Sequence, residues 1–326
     1  MIKNDKMKFM WNFIGQVLDR IINRMKTGDN RNMTNWKTIG DRKSYSHADL
    51  SAFDKFQPII AHTFWHGEIG VKQLFSIKSF LCTQPKELFE LWIWLDGDEW
   101  YEKALQNDSL MALVCSQDNR IKIKKWDLHT EIKGTIFSNI SWYFQWVRPL
   151  AYMADDFRII ALYKFGGLYF DLDVMFLRDF TALVMRDEFV YAWENQPFAN
   201  NAILYLRKGS YLCRQVASEM IRRKSSQPWI VFRYKRKTLA SLMVYPCAFF
   251  DPLWTGYEKG MPFKAFGDFF KPFNENFPKD EHINSYRDFF HGAYAYHWHN
   301  HWNNKVVENS YFGMFNKEFE EELKQQ

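Results

Sequence analysis

The chain has 326 residues, 47% of them hydrophobic and 19% aromatic, with a formal charge of +5. That length can bury a sizeable core in one large α/β domain, alone or with appendages. The mild basicity suits an anionic donor molecule or an anionic membrane surface; without an Arg/Lys stripe or a nucleic-acid motif it excludes a DNA- or RNA-binding protein. Cys82, Cys115, Cys213 and Cys247 are widely spaced and form no C-x-x-C, which fits reduced, buried thiols. No run of eighteen apolar residues marks a membrane anchor, so the expected location is cytoplasmic, with peripheral contact at the cytoplasmic membrane face left open.

Residues 1–50 read as an N-terminal amphipathic helical extension and linker. Met10, Ile14, Val17, Leu18, Ile21 and Met25 recur at helical spacing among Lys8, Arg20, Arg24 and Lys26. The stretch 8–26 fits a helix lying on a membrane surface and equally one docked on the domain. The main domain is expected over 51–310. It opens with an apolar strand from Ile59 that Gly67 ends, followed by a helix over 70–82 and a second strand, 90–95, stopped by Asp96-Gly97-Asp98. Ile121 to Lys124 alternates in period two and reads as a third strand. This strand–helix–strand order predicts a Rossmann-like sheet that binds ligands at the carboxyl ends of its strands.

From Ser141 to Phe165 the pattern is helical, with a break at Pro149. Asp155 and Arg158 are three apart and share a helix face. An ion pair on a solvated face would be worth little, but Ile159, Ile160, Leu162 and Tyr163 imply a mostly packed helix. The helix breaks at Gly166-Gly167, and a short buried strand, Leu168 to Phe170, leads into Asp171-Leu172-Asp173. In extended chain, residues two apart share a face, so both carboxylates are expected to point at one spot. Two negative charges there repel unless a cation lies between them, and oxygen ligands suit Mg2+ or Mn2+. Apolar Val174 to Leu177 follows, so the pair does not belong to an ordinary surface loop.

Strands Phe189 to Trp193 and Ala202 to Leu206 are expected to flank a loop over 194–201, and Ser210 to Lys224 reads as a helix. Trp229 to Lys237 is basic and aromatic, a surface for an acceptor or a membrane. Near the end, His297, His299 and His301 alternate ahead of Trp302. Three such imidazoles are metal-ligand candidates, although neither a Cys partner nor a His-Glu-x-x-His pattern lies nearby. Residues 311–326 read as an acidic C-terminal tail.

The central motifs resemble the DXD-motif glycosyltransferases of family 32 type, which include yeast-type initiating mannosyltransferases, α-1,4-galactosyltransferases and, more distantly, clostridial glucosylating toxins. Asp155, Arg158, Gly166-Gly167, Tyr169, Asp171 and Asp173 keep the family's internal spacing, with weaker echoes from Ile59 to Trp302. Val244-Tyr245-Pro246 and Phe249-Phe250-Asp251-Pro252 resemble the family's late strand and Phe-Tyr-Pro box. The resemblance implies a GT-A fold, an α/β Rossmann-like mixed sheet flanked by helices. It also implies metal-dependent sugar transfer, with retention, from a nucleoside diphosphate sugar such as a UDP-sugar to a glycan or glycolipid hydroxyl. By residue, it implies Trp65 against the nucleotide base, Asp155 on ribose or sugar hydroxyls, and Arg158 on the donor sugar. Asp173 would bind Mn2+ or Mg2+ directly; Asp171 would hold donor hydroxyls and touch the metal. Asn201 falls on the acceptor side, His297 completes the metal shell or meets the diphosphate, and Trp302 is a further donor-binding candidate. Which of His297, His299 and His301 faces the metal stays open. Two other readings compete. A haloacid dehalogenase-type phosphatase also ends a strand in D-x-D, but usually early in the chain and before Thr or Gly, not Val174-Met175. A non-catalytic sugar-binding protein would use the same aromatics without needing Arg158 beside two carboxylates.

Overall fold

The structure, a computed structural model, describes residues 58–325 apart from 118, 146–148, 195, 236 and 256–262. The expected extension over 1–50, with its membrane-contact candidate 8–26, lies outside the described residues. The strands are β1 (Ile59–Trp65), β2 (Phe89–Asp96), β3 (Ile121–Trp126), β4 (Gly167–Phe170), β5 (Val174–Phe176), β6 (Phe189–Ala192), β7 (Ala199–Leu206), β8 (Met243–Tyr245) and β9 (Ala295–His297). Seven of them make one sheet in the order β3-β2-β1-β4-β7-β6-β8, while β5 and β9 pair separately. Within the large sheet only β7 runs antiparallel to the rest. The expected α/β class, a Rossmann-like mixed sheet flanked by helices, is what the chain adopts.

Strand order positions the site. The chain builds β1, β2 and β3 toward one edge, then returns to lay β4 against the other flank of β1. The order reverses there, so the carboxyl ends of β1 and β4 mark the switch point, where open α/β sheets bind ligands. Alternation along the strands gives the sheet two cores. Leu91, Ile93, Leu168 and Phe170 face Ile77, Phe80 and Leu81 of helix α1 (Val71–Thr83). Helices α2 (Gly97–Leu105) and α3 (Asp108–Ser116) link β2 to β3. On the other face Trp94, Tyr169 and Leu204 pack with Phe157 and Ile160 of α4 (Leu150–Phe165) and Val216 and Met220 of α5 (Tyr211–Arg223).

A third core joins Met175, Tyr296 and Trp298 to Phe75 of α1 and to Phe312, Phe315 and Phe319 of α6 (Tyr311–Leu323). This corrects the reading of 311–326 as a tail. Its phenylalanines sit three and four apart on one helix face, and that stripe is buried although the segment's charge is acidic. Two other expectations shift. β7 begins at Ala199, so Asn200 and Asn201 are strand residues and not loop. The helical stretch before Pro149 is a 3-10 segment, Ile136–Gln145, kinked at Ile140.

The Gly-Gly break is sterically required. Gly166 and Gly167 have φ of 69° and 107°, values that L side chains adopt poorly. A Cβ on Gly167 would lie 2.0 Å from the Ile60 carbonyl oxygen, and one on Gly166 2.4 Å from the Lys208 nitrogen. Buried His62 seals the junction. Its Nδ1 accepts from the Trp94 indole at 3.1 Å, so its proton is on Nε2, which donates to the Gly166 carbonyl at 2.9 Å. Burial holds its pKa down at about 4, so the ring stays neutral and structural.

Candidate active site

Trp65 ends β1 and Asp171 directly follows β4. Because β7 is antiparallel, its first residues lie at the same edge, bringing in Asn201. Helix α4 runs behind this edge and supplies Asp155 and Arg158. The two Asp carboxylates converge for a different reason from strand alternation. Asp171 to Val174 is a tight turn, in which Val174 N donates to Asp171 O at 3.1 Å while Asp171 N donates to Ala202 O at 2.8 Å. The turn aims Asp171 at α4 and Asp173 at β9, and carboxylate and imidazole atoms of Asp171, Asp173 and His297 still lie within 4.8 Å of one another.

Arg158 is buried, and each nitrogen of its guanidinium makes a hydrogen bond. It donates to Asn201 Oδ1 at 2.6 Å, Asp171 Oδ1 at 3.0 Å and the Ala154 carbonyl at 3.1 Å, with Asp155 at 3.6 Å and the Tyr169 ring 4.5 Å from its Cζ. Asn201 Nδ2 donates to Asp155 Oδ1 at 3.1 Å, and the Tyr169 hydroxyl donates to Asp171 Oδ1 at 2.5 Å. Burial lifts Asp155 to about 7, against the pull of Arg158 and the Asn201 amide. Burial also raises Asp171; Arg158 opposes this, and the neighbouring Asp173 charge adds to it.

Asp173 faces the other way. Its Oδ1 lies 3.1 Å from His297 Nε2, and its Oδ2 accepts from the Asn300 amide at 2.7 Å. β9 delivers His297 by pairing it with Val174, and the chain then bends sharply, with His299 and Asn300 at φ of 50° and 61°. Burial alone would neutralise His297, but the Asp173, Asp251 and Asp171 carboxylates outweigh it and lift the pKa to about 9. Burial would likewise raise Asp173, yet the imidazolium and the Asn300 N–H hold it down at about 2.

The three histidines take different partners in space. His297 meets Asp173, His299 Nε2 meets Asp251 Oδ2 at 2.6 Å, and the His301 ring lies 6.4 Å from Phe266. Trp302 packs against Trp65 with ring centroids 4.7 Å apart. Lys72 holds that corner, its ammonium donating to the carbonyls of His301, Trp302 and Asn304 at 2.5, 2.8 and 2.6 Å. All eight residues singled out in the sequence thus reach one edge of the sheet. Tyr169 as a hydrogen-bond donor, Tyr191, Asp251 and Lys72 were not assigned roles. Asp251 stood within a recognised box, but its complete burial has no local signal.

Two carboxylates and one imidazole whose ligand atoms lie within 4.8 Å of one another form a donor set that fits Mn2+ or Mg2+. The sheet with its acidic turn at the switch point defines an α/β, Rossmann-like class of fold. Within it, residues 93–190 match the family model described as a glycosyltransferase sugar-binding region containing a DXD motif. That segment holds Asp155, Arg158, Asp171 and Asp173; Trp65, Asn201, His297 and Trp302 lie outside it. The match also weighs against the phosphatase reading. No curated protein sequence is significantly similar to the chain.

Among solved structures, the PaToxG glycosyltransferase is 17% identical over 57% of this chain and 65% of its own, with a TM-score of 0.36. GlyE of Streptococcus pneumoniae TIGR4, a glycosyltransferase in its apo form, is 13% identical over 81% of this chain and 60% of its own, at 0.40. Mouse xyloside xylosyltransferase 1 is 12% identical over 76% of this chain and 100% of its own, at 0.40. The chain spans less than two thirds of the PaToxG and GlyE chains.

Proposed function

We propose that the chain is a metal-dependent glycosyltransferase that moves a sugar from a nucleoside diphosphate sugar, a UDP-sugar by preference, to a hydroxyl of a glycan or glycolipid. The observation that carries this reading is the convergence of Asp171, Asp173 and His297 beside Arg158 at the switch point of the sheet. Asp173 and His297 would hold Mn2+ or Mg2+, with Asp171 sharing it. The cation supplies neutralisation of the charge that builds on the diphosphate as the glycosidic bond breaks.

The chain's own groups do the positioning. Arg158, already locked by Asn201 and Asp171, presents a fixed positive charge to the donor sugar, and Asp155 and Asp171 accept from its hydroxyls. Trp65 and Trp302 offer aromatic faces to the base at the β1 end, and Asn201 stands on the acceptor side. Retention follows the family resemblance. No side chain stands out as an enzymic nucleophile.

Asp173→Asn tests the reading, because it keeps the side chain's shape and removes its charge. Transfer should fall by at least about 100-fold, the scale of losing one preorganised electrostatic contact, while circular dichroism stays native. Wild-type activity should vanish in EDTA and return with Mn2+. Full activity of the variant in EDTA would sink the proposal.

A further inference from the structure

His297 can hold a cation only through a bare Nε2, because that nitrogen is the one facing Asp173. Its remaining ring proton must then sit on Nδ1, and some group has to accept it. Two acceptors face Nδ1: the Tyr191 hydroxyl at 3.1 Å and Asp251 Oδ2 at 3.7 Å. Asp251 is 0% exposed, and its Oδ1 has no hydrogen-bond partner. Its Oδ2 accepts from His299 Nε2 at 2.6 Å, and the His299 ring stacks on His297 with centroids 3.8 Å apart and planes at 29°. A carboxylate buried this completely is costly, and the groups it faces are two imidazoles.

We propose that Asp251 and Tyr191 are positioning residues for His297, keeping its proton on Nδ1 and turning its Nε2 lone pair toward the cation beside Asp173. The inference rests on the metal-dependent reading above. Metal-bound histidines are commonly oriented in this way by a carboxylate or another acceptor on the far nitrogen. His299 completes the clamp from one ring face: Asp251 holds it, and its stacking limits how far the His297 ring can swing. Asp251, His297 and His299 also bring ligand atoms within 4.8 Å of one another. A second cation there would have to take Nδ1 of His297 while Nε2 serves the first, stripping the imidazole of both ring protons. One cation with a hydrogen-bonded Nδ1–H requires nothing of the kind.

The test is Mn2+ binding, followed by the electron paramagnetic resonance of free Mn2+ in titrations of the full chain, together with the Mn2+ activation constant of transfer. Asp251→Asn should weaken Mn2+ binding by about 10- to 100-fold, the usual scale for losing such a partner, and Tyr191→Phe should weaken it in the same direction by less. Excess Mn2+ should restore most of kcat in both. A merely structural role would lower Tm and leave the Mn2+ dissociation constant of the folded protein where it was; that result in both variants overturns the proposal. If Asp251→Asn does not fold, Tyr191→Phe decides alone, since it keeps the ring and its packing on Phe250, and an unchanged Mn2+ dissociation constant overturns the proposal. Wild-type protein that binds no Mn2+ would bring down this inference and the reading beneath it together. Tight wild-type binding with unaltered variants would bring down this one only.

Discussion

Without a cation, Asp173 and His297 form a buried ion pair, and its proton sets a pH dependence. His297 is lifted from an ordinary 6.5 to about 9, so it contributes stability that is complete below about pH 6.5 and is lost as pH rises through 9. Asp173 is depressed from 3.8 to about 2, so its contribution is complete above about pH 4 and is lost as pH falls through 2. The metal-free protein should therefore lose on the order of 1–3 kcal/mol between pH 6.5 and 9. A cation must displace the same proton, so Mn2+ affinity should climb across that window with proton release. Thermal melts from pH 6 to 9, with and without Mn2+, check this. A metal-free Tm that stays level in the wild type, or that declines equally in His297→Gln, would contradict it. At this scale the sequence was a good guide to which acidic and basic side chains converge, because Asp155, Arg158, Asp171 and Asp173 lie within one short, regularly spaced segment. It was a poor guide to their partners. Asp251 and Tyr191 meet His297 from 46 and 106 positions away, and no local pattern encodes such a meeting.

Among elements, the Gly166-Gly167 joint decides whether the carboxylates arrive at all. β4 is only four residues long, and it is held beside β1 by two partner positions, Ala61↔Leu168 and His62↔Tyr169. A side chain at Gly167 would push the Ile60 carbonyl away from this contact. Gly167→Ala should thus cost well beyond the ~1 kcal/mol usual for a point change, in the exceptional range of about 4 kcal/mol or more. Gly209 is the control: its φ is also positive, 68°, but a Cβ there meets nothing within 4 Å, so Gly209→Ala should cost only about 1–2 kcal/mol. Urea denaturation of the two variants measures the difference, and equal losses would mean that conformation and not close approach makes the glycine necessary. The pair was legible as a break between helix and strand because glycines punctuate both periodicities. The turn after β4 was not legible, since alternation and a tight turn both bring residues 171 and 173 together, and only the Val174–Asp171 hydrogen bond tells them apart.

At the scale of the whole molecule, strand β9 and helix α6 share a core. β9 carries His297, its neighbours Tyr296 and Trp298 are buried with Phe269 and Phe312, and Phe312 stacks on Phe75 of α1 with ring centroids 4.2 Å apart. Lys78 of α1 pairs with Glu320 of α6 at 2.6 Å, but Glu320 is half exposed and the pair adds little beside that packing. The α/β order of the sheet could be read from its apolar runs. The third core could not, because its aromatic residues come from five separate segments and lie under an acidic sequence. Phe312→Ala should therefore cost about 3–5 kcal/mol, the range for emptying a packed aromatic site, and the loss should not stay local. With β9 less firmly backed, His297 would be held less rigidly, so Mn2+ should stabilise the variant less than it stabilises the wild type. Paired urea titrations with and without saturating Mn2+ read both quantities. A large loss of stability with an undiminished Mn2+ increment would show that α6 supports the fold without supporting the site.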